Sequence, residues 1–195
     1  MSDFLKVENI SGFNKLVIYL GSQIGNLVNV NELASTLGLN NRTIQTYLDI
    51  LKHTFIFDFV TPYFTNKRKE LSKMPKVFAS DMSIVHYATK AFYSEYRMIP
   101  GNWIENFVFI HLKTNDPLNF YRTNSGAEID FLIHQHQLII PIEVKFRKKV
   151  SIPIIFKNFA KQYSISHSII LSQDTINQEQ NVYTIPVSLL PFILN

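Results

Sequence analysis

The sequence predicts an α+β protein in two parts, a helix-rich amino-terminal part and a carboxy-terminal part in which a helix leads into a central mixed sheet. Three observations carry this prediction. Apolar residues recur at three- and four-residue intervals through the first fifty positions, period-two alternation takes over from Leu118, and Pro100-Gly101 punctuates the chain between them. With 195 residues, 46% of them apolar and 13% aromatic, the chain has material for packed cores on both sides of that break. The expected division is therefore residues 1–99 and 100–195.

In the first part, Phe13, Leu16, Val17, Leu20 and Ile24 mark one face of an amphipathic helix over residues 13–25. A second helix is expected to start with Asn31 as cap, to bury Leu33, Ala34 and Leu37, and to stop at Gly38. A third follows from Asn40 or Asn41 with Ile44, Tyr47, Leu48 and Leu51 inward, which leaves Arg42, Thr43, Gln45, Thr46, Asp49 and Lys52 outward. An extended aromatic stretch, 55–60, comes next, then the basic turn Lys67-Arg68-Lys69. Lys76 to Ala79 suits a short strand, Asp81 a helix cap, and Met82 to Tyr93 the helix it caps.

In the second part a helix is expected over residues 102–114, strands over 118–123, 127–133 and 138–146, a helix over 154–163, and strands over 167–171 and 181–185. Alternation then decides which side chains share a face. Ile129, Phe131 and Ile133 point into a core while Glu128 and Asp130 point away, and Glu143 and Lys145 face opposite to Ile142 and Val144. Paired as a hairpin, these strands bring Asp130 and Glu143 to one point beside Lys145, with Glu105 within reach from the preceding helix. Carboxylates and an ammonium gathered in this way suit a hard cation held next to a phosphate. Arg147, Lys148 and Lys149 follow directly, where an anionic backbone would pass.

Two resemblances follow from these residues. The three helices with a tight Gly38-Leu39 turn and the aromatic stretch resemble a winged helix-turn-helix domain. That resemblance implies a third helix presenting Arg42, Thr43, Gln45 and Thr46 to DNA, and a wing whose tip is Lys67, Arg68 and Lys69. The order Glu105, Asp130, Glu143, Lys145 resembles the four signature positions of the PD-(D/E)XK nuclease superfamily, with Ile129 where the family name has proline. It implies a restriction-endonuclease-like α/β domain. Asp130, Glu143 and Glu105 would be its Mg²⁺ or Mn²⁺ ligands and Lys145 a fourth catalytic residue.

Taken together, Lys76-Val77-Phe78, Glu105-Asn106-Phe107-Val108, Tyr121-Arg122, 127–131 and 141–145 make nearly the whole chain resemble the uncharacterised domain that stands carboxy-terminal to AAA-type ATPase modules in bacterial and archaeal proteins. An ATPase, upstream or separate, is the partner this implies. No G-x-x-x-x-G-K-[ST] segment occurs, so no P-loop is expected within this sequence.

Composition bounds the rest. The formal net charge of +4, from 19 basic against 15 acidic residues, permits a DNA partner without requiring one. The absence of cysteine removes disulfides and thiolate zinc sites and suits a reducing cytoplasm. The amino terminus, with Asp3, Lys6 and Glu8, lacks the apolar run of a signal peptide. No apolar stretch approaches the roughly 20 residues that span a bilayer, so a cytoplasmic protein without a membrane partner is expected.

Overall fold

The computed structural model describes residues 7–65, 73–91, 99–113, 117–135 and 138–193. The chain divides into two compact units, one formed by residues up to Val60 with Met74–Asn106, the other by Thr61–Lys73 with Phe107 onward. Its elements make a mixed α+β protein, as the sequence pattern predicts.

The first unit opens with three helices, each started by an asparagine. Asn9 caps α1 (Ile10–Ser22), its Oδ1 accepting the Gly12 N–H at 2.8 Å, so the helix begins and ends earlier than the expected 13–25. Helix α2 (Val30–Leu37) is capped by Asn29 rather than the expected Asn31: the Asn29 Oδ1 takes the N–H groups of Asn31 at 3.0 Å and Glu32 at 3.4 Å. Glu32 then falls in the first turn of the helix, where an acid complements the dipole. Gly38 stops α2 at φ 66°, a left-handed conformation suited to glycine. Asn40 then caps α3 (Asn41–His53) through the Thr43 N–H at 2.8 Å.

Helix α3 buries Ile44, Tyr47, Leu48 and Leu51, as its pattern predicts, together with Ile50. These residues share one apolar cluster with Leu16, Leu20, Leu33 and Phe57. Strands β1 (Phe57–Pro62) and β2 (Lys76–Ala79) pair antiparallel from Phe57↔Ala79 to Val60↔Lys76, and Leu27 adds an antiparallel bridge to Lys76. The expected basic turn at Lys67, Arg68 and Lys69 lies outside the described residues. Asp81 caps α4 (Met82–Thr89) by accepting the Ser83 N–H at 2.6 Å, as predicted. That helix ends at Lys90, φ 56°, and so is shorter than the pattern suggests.

Helix α5 (Gly101–Leu112) begins in this unit, and its Asn106 is fully buried. The Asn106 Oδ1 accepts the Ala79 N–H at 2.7 Å while its Nδ2 donates to the Ala79 carbonyl at 3.0 Å. The side-chain amide thus completes β2 as another strand's backbone would.

The second unit holds β3 (Leu118–Arg122), β4 (Glu128–Gln135), β5 (Leu138–Lys145), β6 (Ser168–Ser172), β7 (Asn177–Glu179) and β8 (Val182–Pro186). Their sheet order is β3-β4-β5-β6-β8-β7, and Thr61 and Pro62 pair parallel with β3 at its edge. Neighbours β3, β4 and β5 run antiparallel, β5, β6 and β8 parallel, and β7 antiparallel to β8, which makes the sheet mixed. Helix α6 (Ile154–Gln162) links the parallel pair β5 and β6, and its Ile155, Phe156 and Phe159 join Ile129, Leu132, Ile139 and Ile170 in one cluster. A 3-10 turn (Val187–Leu189) and the short α7 (Leu190–Ile193) follow β8.

Candidate functional site

The acid cluster sits where two strand pairs part company. The β4–β5 ladder runs from Gln135↔Leu138 to Phe131↔Ile142. One step further would set Asp130 against Glu143, but there β4 continues against β3 while β5 continues against β6 through Glu143↔Ile170 and Lys145↔Ser172. The side chain of Asp130 occupies the break, its Oδ2 accepting the Val144 N–H at 2.8 Å. A backbone donor that the diverging strand would leave orphaned is satisfied in this way.

A bulge prepares the fork. Between the paired residues Asn119↔Leu132 and Tyr121↔Ile129, two residues of β4, Asp130 and Phe131, stand against Phe120 alone. Such an extra residue breaks the strict alternation and re-aims the side chains next to it. The expectation that Ile129, Phe131 and Ile133 share one face is therefore corrected: Ile129 packs in the α6 cluster together with Leu132. The acids are not on an open face either. Asp130 is 9% and Glu143 5% exposed, because β4 and β5 are covered on both sides around them.

Burial and charge set the electrostatics. Lys145 Nζ lies 2.5 Å from Glu143 Oε1, and the lysine is about one-third exposed. Glu143 Oε2 is buried without a hydrogen-bond partner. Burial, reinforced by the Asp130 charge and opposed by Lys145, pushes the Glu143 carboxyl up to about 7. Burial works against the Lys145 charge, but the Glu143 hydrogen bond and the charges of Glu143 and Asp130 outweigh it, so the ammonium holds its proton more tightly than usual. Arg147 opposes this from beyond the strand end.

The remaining expected residues fall as follows. Glu105 lies on the first turns of α5 in the first unit, half-buried, with Oε2 3.2 Å from where a Cβ on Gly25 would stand. Among the described residues, no three His, Cys, Asp or Glu side chains converge as a metal-holding group. Glu128 pairs with Arg122 at 3.6 Å on the surface. Outside the expected set, His134 of β4 contacts Asn119 Oδ1 through Nε2 at 3.0 Å, and Asn119 in turn donates to Thr61. Arg147 and Lys148 are exposed just past β5.

On α3, Arg42, Gln45 and Thr46 are exposed and Thr43 is half-buried. Arg42, Thr43 and Thr46 line a concavity of about 370 Å³ with Asn40, Tyr47 and Glu8. Gln45 reaches Asp49 at 3.3 Å, and the Thr46 hydroxyl turns back to the Arg42 carbonyl.

Comparison with known proteins finds likeness to two families. Residues 1–95 match one described as a domain of unknown function (DUF8612), and residues 100–190 match another described as a domain of unknown function (DUF4143). An uncharacterised protein of Haemophilus influenzae is 27% identical over 145 residues, which is 72% of this chain and 35% of that protein. Uncharacterised proteins of Mycobacterium bovis and Mycobacterium tuberculosis are each 28% identical over 116 residues, 56% of this chain and 26% of theirs. The chain thus spans about a third or less of the length of these curated relatives. No solved structure matches it.

Proposed function

We propose that this chain is a DNA-binding protein with a Mg²⁺-dependent phosphodiester-cleaving site of the PD-(D/E)XK kind, serving as the carboxy-terminal part of an AAA-type ATPase. The observation that carries the proposal is the fork at Asp130 and Glu143, where two buried carboxylates and the Lys145 ammonium meet at a bulge. Mg²⁺ is commonly held by one or two carboxylates with water and substrate phosphate completing the shell, so a pair of acids is a sufficient protein contribution. The partnerless Glu143 Oε2 fits such an ion, since a buried acceptor without a donor is costly and a cation would satisfy it.

The chemistry supplied by a bound ion is Lewis-acid polarisation of a phosphoryl oxygen. Asp130 is held for this task by the Val144 N–H, which orients its carboxylate. Lys145 stays protonated and is partly open to solvent, so it can donate to a phosphate oxygen and offset the charge that grows there. Helix α3 supports the DNA-binding half of the proposal through exposed Arg42, Gln45 and Thr46, residue types that bond base edges and phosphates. The greater length of the relatives leaves room for an ATPase module.

The test is incubation of the purified chain with supercoiled, linear and branched DNA in Mg²⁺ or Mn²⁺. Cleavage is expected, reduced by about 100-fold or more in Asp130→Asn and Lys145→Ala. Glu105→Gln tests the first-unit acid separately. Absence of cleavage on every substrate, or cleavage indifferent to Asp130→Asn, overturns the enzymatic claim.

A second reading has an observation of its own. At the fork Glu143 already has Lys145 as a partner, an arrangement that suits a non-catalytic DNA-binding or regulatory module of the ATPase with a degenerate nuclease fold. It predicts DNA binding that is unchanged by chelation and by Asp130→Asn.

A further inference from the structure

The turn that carries Arg147, Lys148 and Lys149 is not a loose strand end. Strands β5 and β6 run parallel and in register as far as Lys145↔Ser172, so both chains leave the sheet at the same level. The two turns that follow are then bonded to each other. The Thr175 hydroxyl donates to the Lys148 carbonyl at 2.6 Å, and the Gln173 N–H makes a longer contact of 3.5 Å to the Arg147 carbonyl.

Thr175 is itself held from below. The fully buried Ser172 hydroxyl accepts the Thr175 N–H at 3.0 Å and donates to the Thr175 carbonyl at 2.9 Å, with a weaker contact to the Ile185 carbonyl of β8 at 3.3 Å. The main chain of the basic turn is thus fixed through two hydroxyls while Arg147, Lys148 and Lys149 remain exposed. Across both turns three cations stand against a single acid, Asp174. Arg147 follows Lys145 of the fork by two residues, so the basic turn starts directly beside the fork.

We infer that this clasped turn is a guide for the phosphate backbone of a DNA strand lying across the fork, and that Thr175 is a positioning residue which holds the Arg147–Lys149 cations at the site. The inference rests on the nuclease-like reading for what lies at the fork, but its test needs no cleavage. A basic segment pinned at its carbonyls loses little freedom when it meets phosphates, which raises affinity by lowering the ordering cost.

The test measures binding of the full chain to a short duplex in EDTA across a series of salt concentrations, beside thermal unfolding of each variant. Each lost phosphate contact lowers the slope of log K against log salt by about 1. Arg147→Ala with Lys148→Ala is expected to lower it by about 2 and to weaken binding by at least about 10-fold at moderate salt. Thr175→Val is expected to lower it by about 1 with little change in unfolding temperature, and Thr175→Ser, which keeps the hydroxyl, to behave as wild type.

An unchanged slope in the double variant overturns the guide, and leaves the cleavage experiment to judge the fork on its own. An unchanged slope in Thr175→Val, with a changed one in the double variant, removes the positioning role. If Thr175→Val unfolds, Thr175→Ser decides: loss of slope despite a retained hydroxyl also counts against that role. Failure of wild type to bind any duplex would sink this inference and the DNA-binding proposal together.

Discussion

At the scale of the residue, Glu143 concentrates the physics of this chain. Its carboxyl is raised from 4.5 to about 7, first by burial and then by Asp130, against the pull of Lys145. The folded state therefore holds more protons than the unfolded one between those two values. Stability falls as pH rises through that window, and the penalty is complete above about 7. A gap of this size corresponds to a penalty on the order of 3 kcal/mol.

Two predictions follow at this residue. Relative to wild type in chelator, Glu143→Gln gains about 1–3 kcal/mol in urea unfolding on going from pH 5 to pH 8, because the amide mimics the protonated acid. An equal difference at both pH values would contradict the shift. A divalent ion needs the ionised form, so if the fork holds one, Mg²⁺ is expected to raise the unfolding temperature more at pH 8 than at pH 6, and Asp130→Asn to remove the effect. Mg²⁺ stabilisation that is the same at both pH values, or retained in Asp130→Asn, would place the ion elsewhere.

At the scale of the element, caps and register carry the argument. Asn29 and Asn31 look equivalent in sequence, yet Asn29 satisfies the open N–H groups of α2 while Asn31 bonds sideways to Asn41. Asn29→Ala is therefore expected to cost about 1 kcal/mol in chemical unfolding, and Asn31→Ala less than about 0.5 kcal/mol. The reverse order would show that the cap is misassigned. Asn106→Ala, which leaves the N–H and C=O of Ala79 without partners, is expected to cost about 3 kcal/mol. A cost near zero would mean that water replaces the amide there.

Register decides what pattern alone does not. The expected strand faces assumed unbroken alternation through β4, which would set Ile129 with Phe131. The bulge at Asp130 and Phe131 depends on β3 supplying one residue fewer over the same stretch, and that is a property of the pair. Strand β7 escaped notice for a different reason: Asn177, Gln178 and Glu179 are all polar and exposed, so no alternation marks them.

At the scale of the whole molecule, likenesses to two families of unknown function lie one after the other along the chain, and the relatives it resembles are longer than it. If DNA is the common ligand, α3 and the β5 turn each supply separate phosphate contacts. Arg42→Ala is then expected to weaken duplex binding and to reduce the salt slope by about 1 without altering cleavage rate at saturating DNA. An unchanged slope would take α3 out of the interface. No helix among the described residues is long and apolar enough to cross a membrane.

The sequence by itself determined the order of the elements from α1 to β6, the inward faces of α1 to α3, the Gly38 stop and the cap at Asp81, because these follow from local periodicity and from short-range hydrogen bonding. It also brought Asp130, Glu143 and Lys145 together, since strand order and spacing are readable along a hairpin. Only the tertiary structure decided that the acids are buried, that the ladder forks between them, and that Glu143 keeps an unpartnered oxygen. Those features depend on which strands compete for the β4 and β5 edges and on how α6 covers the sheet. Such competition is settled between segments far apart in the chain, where no local pattern records it.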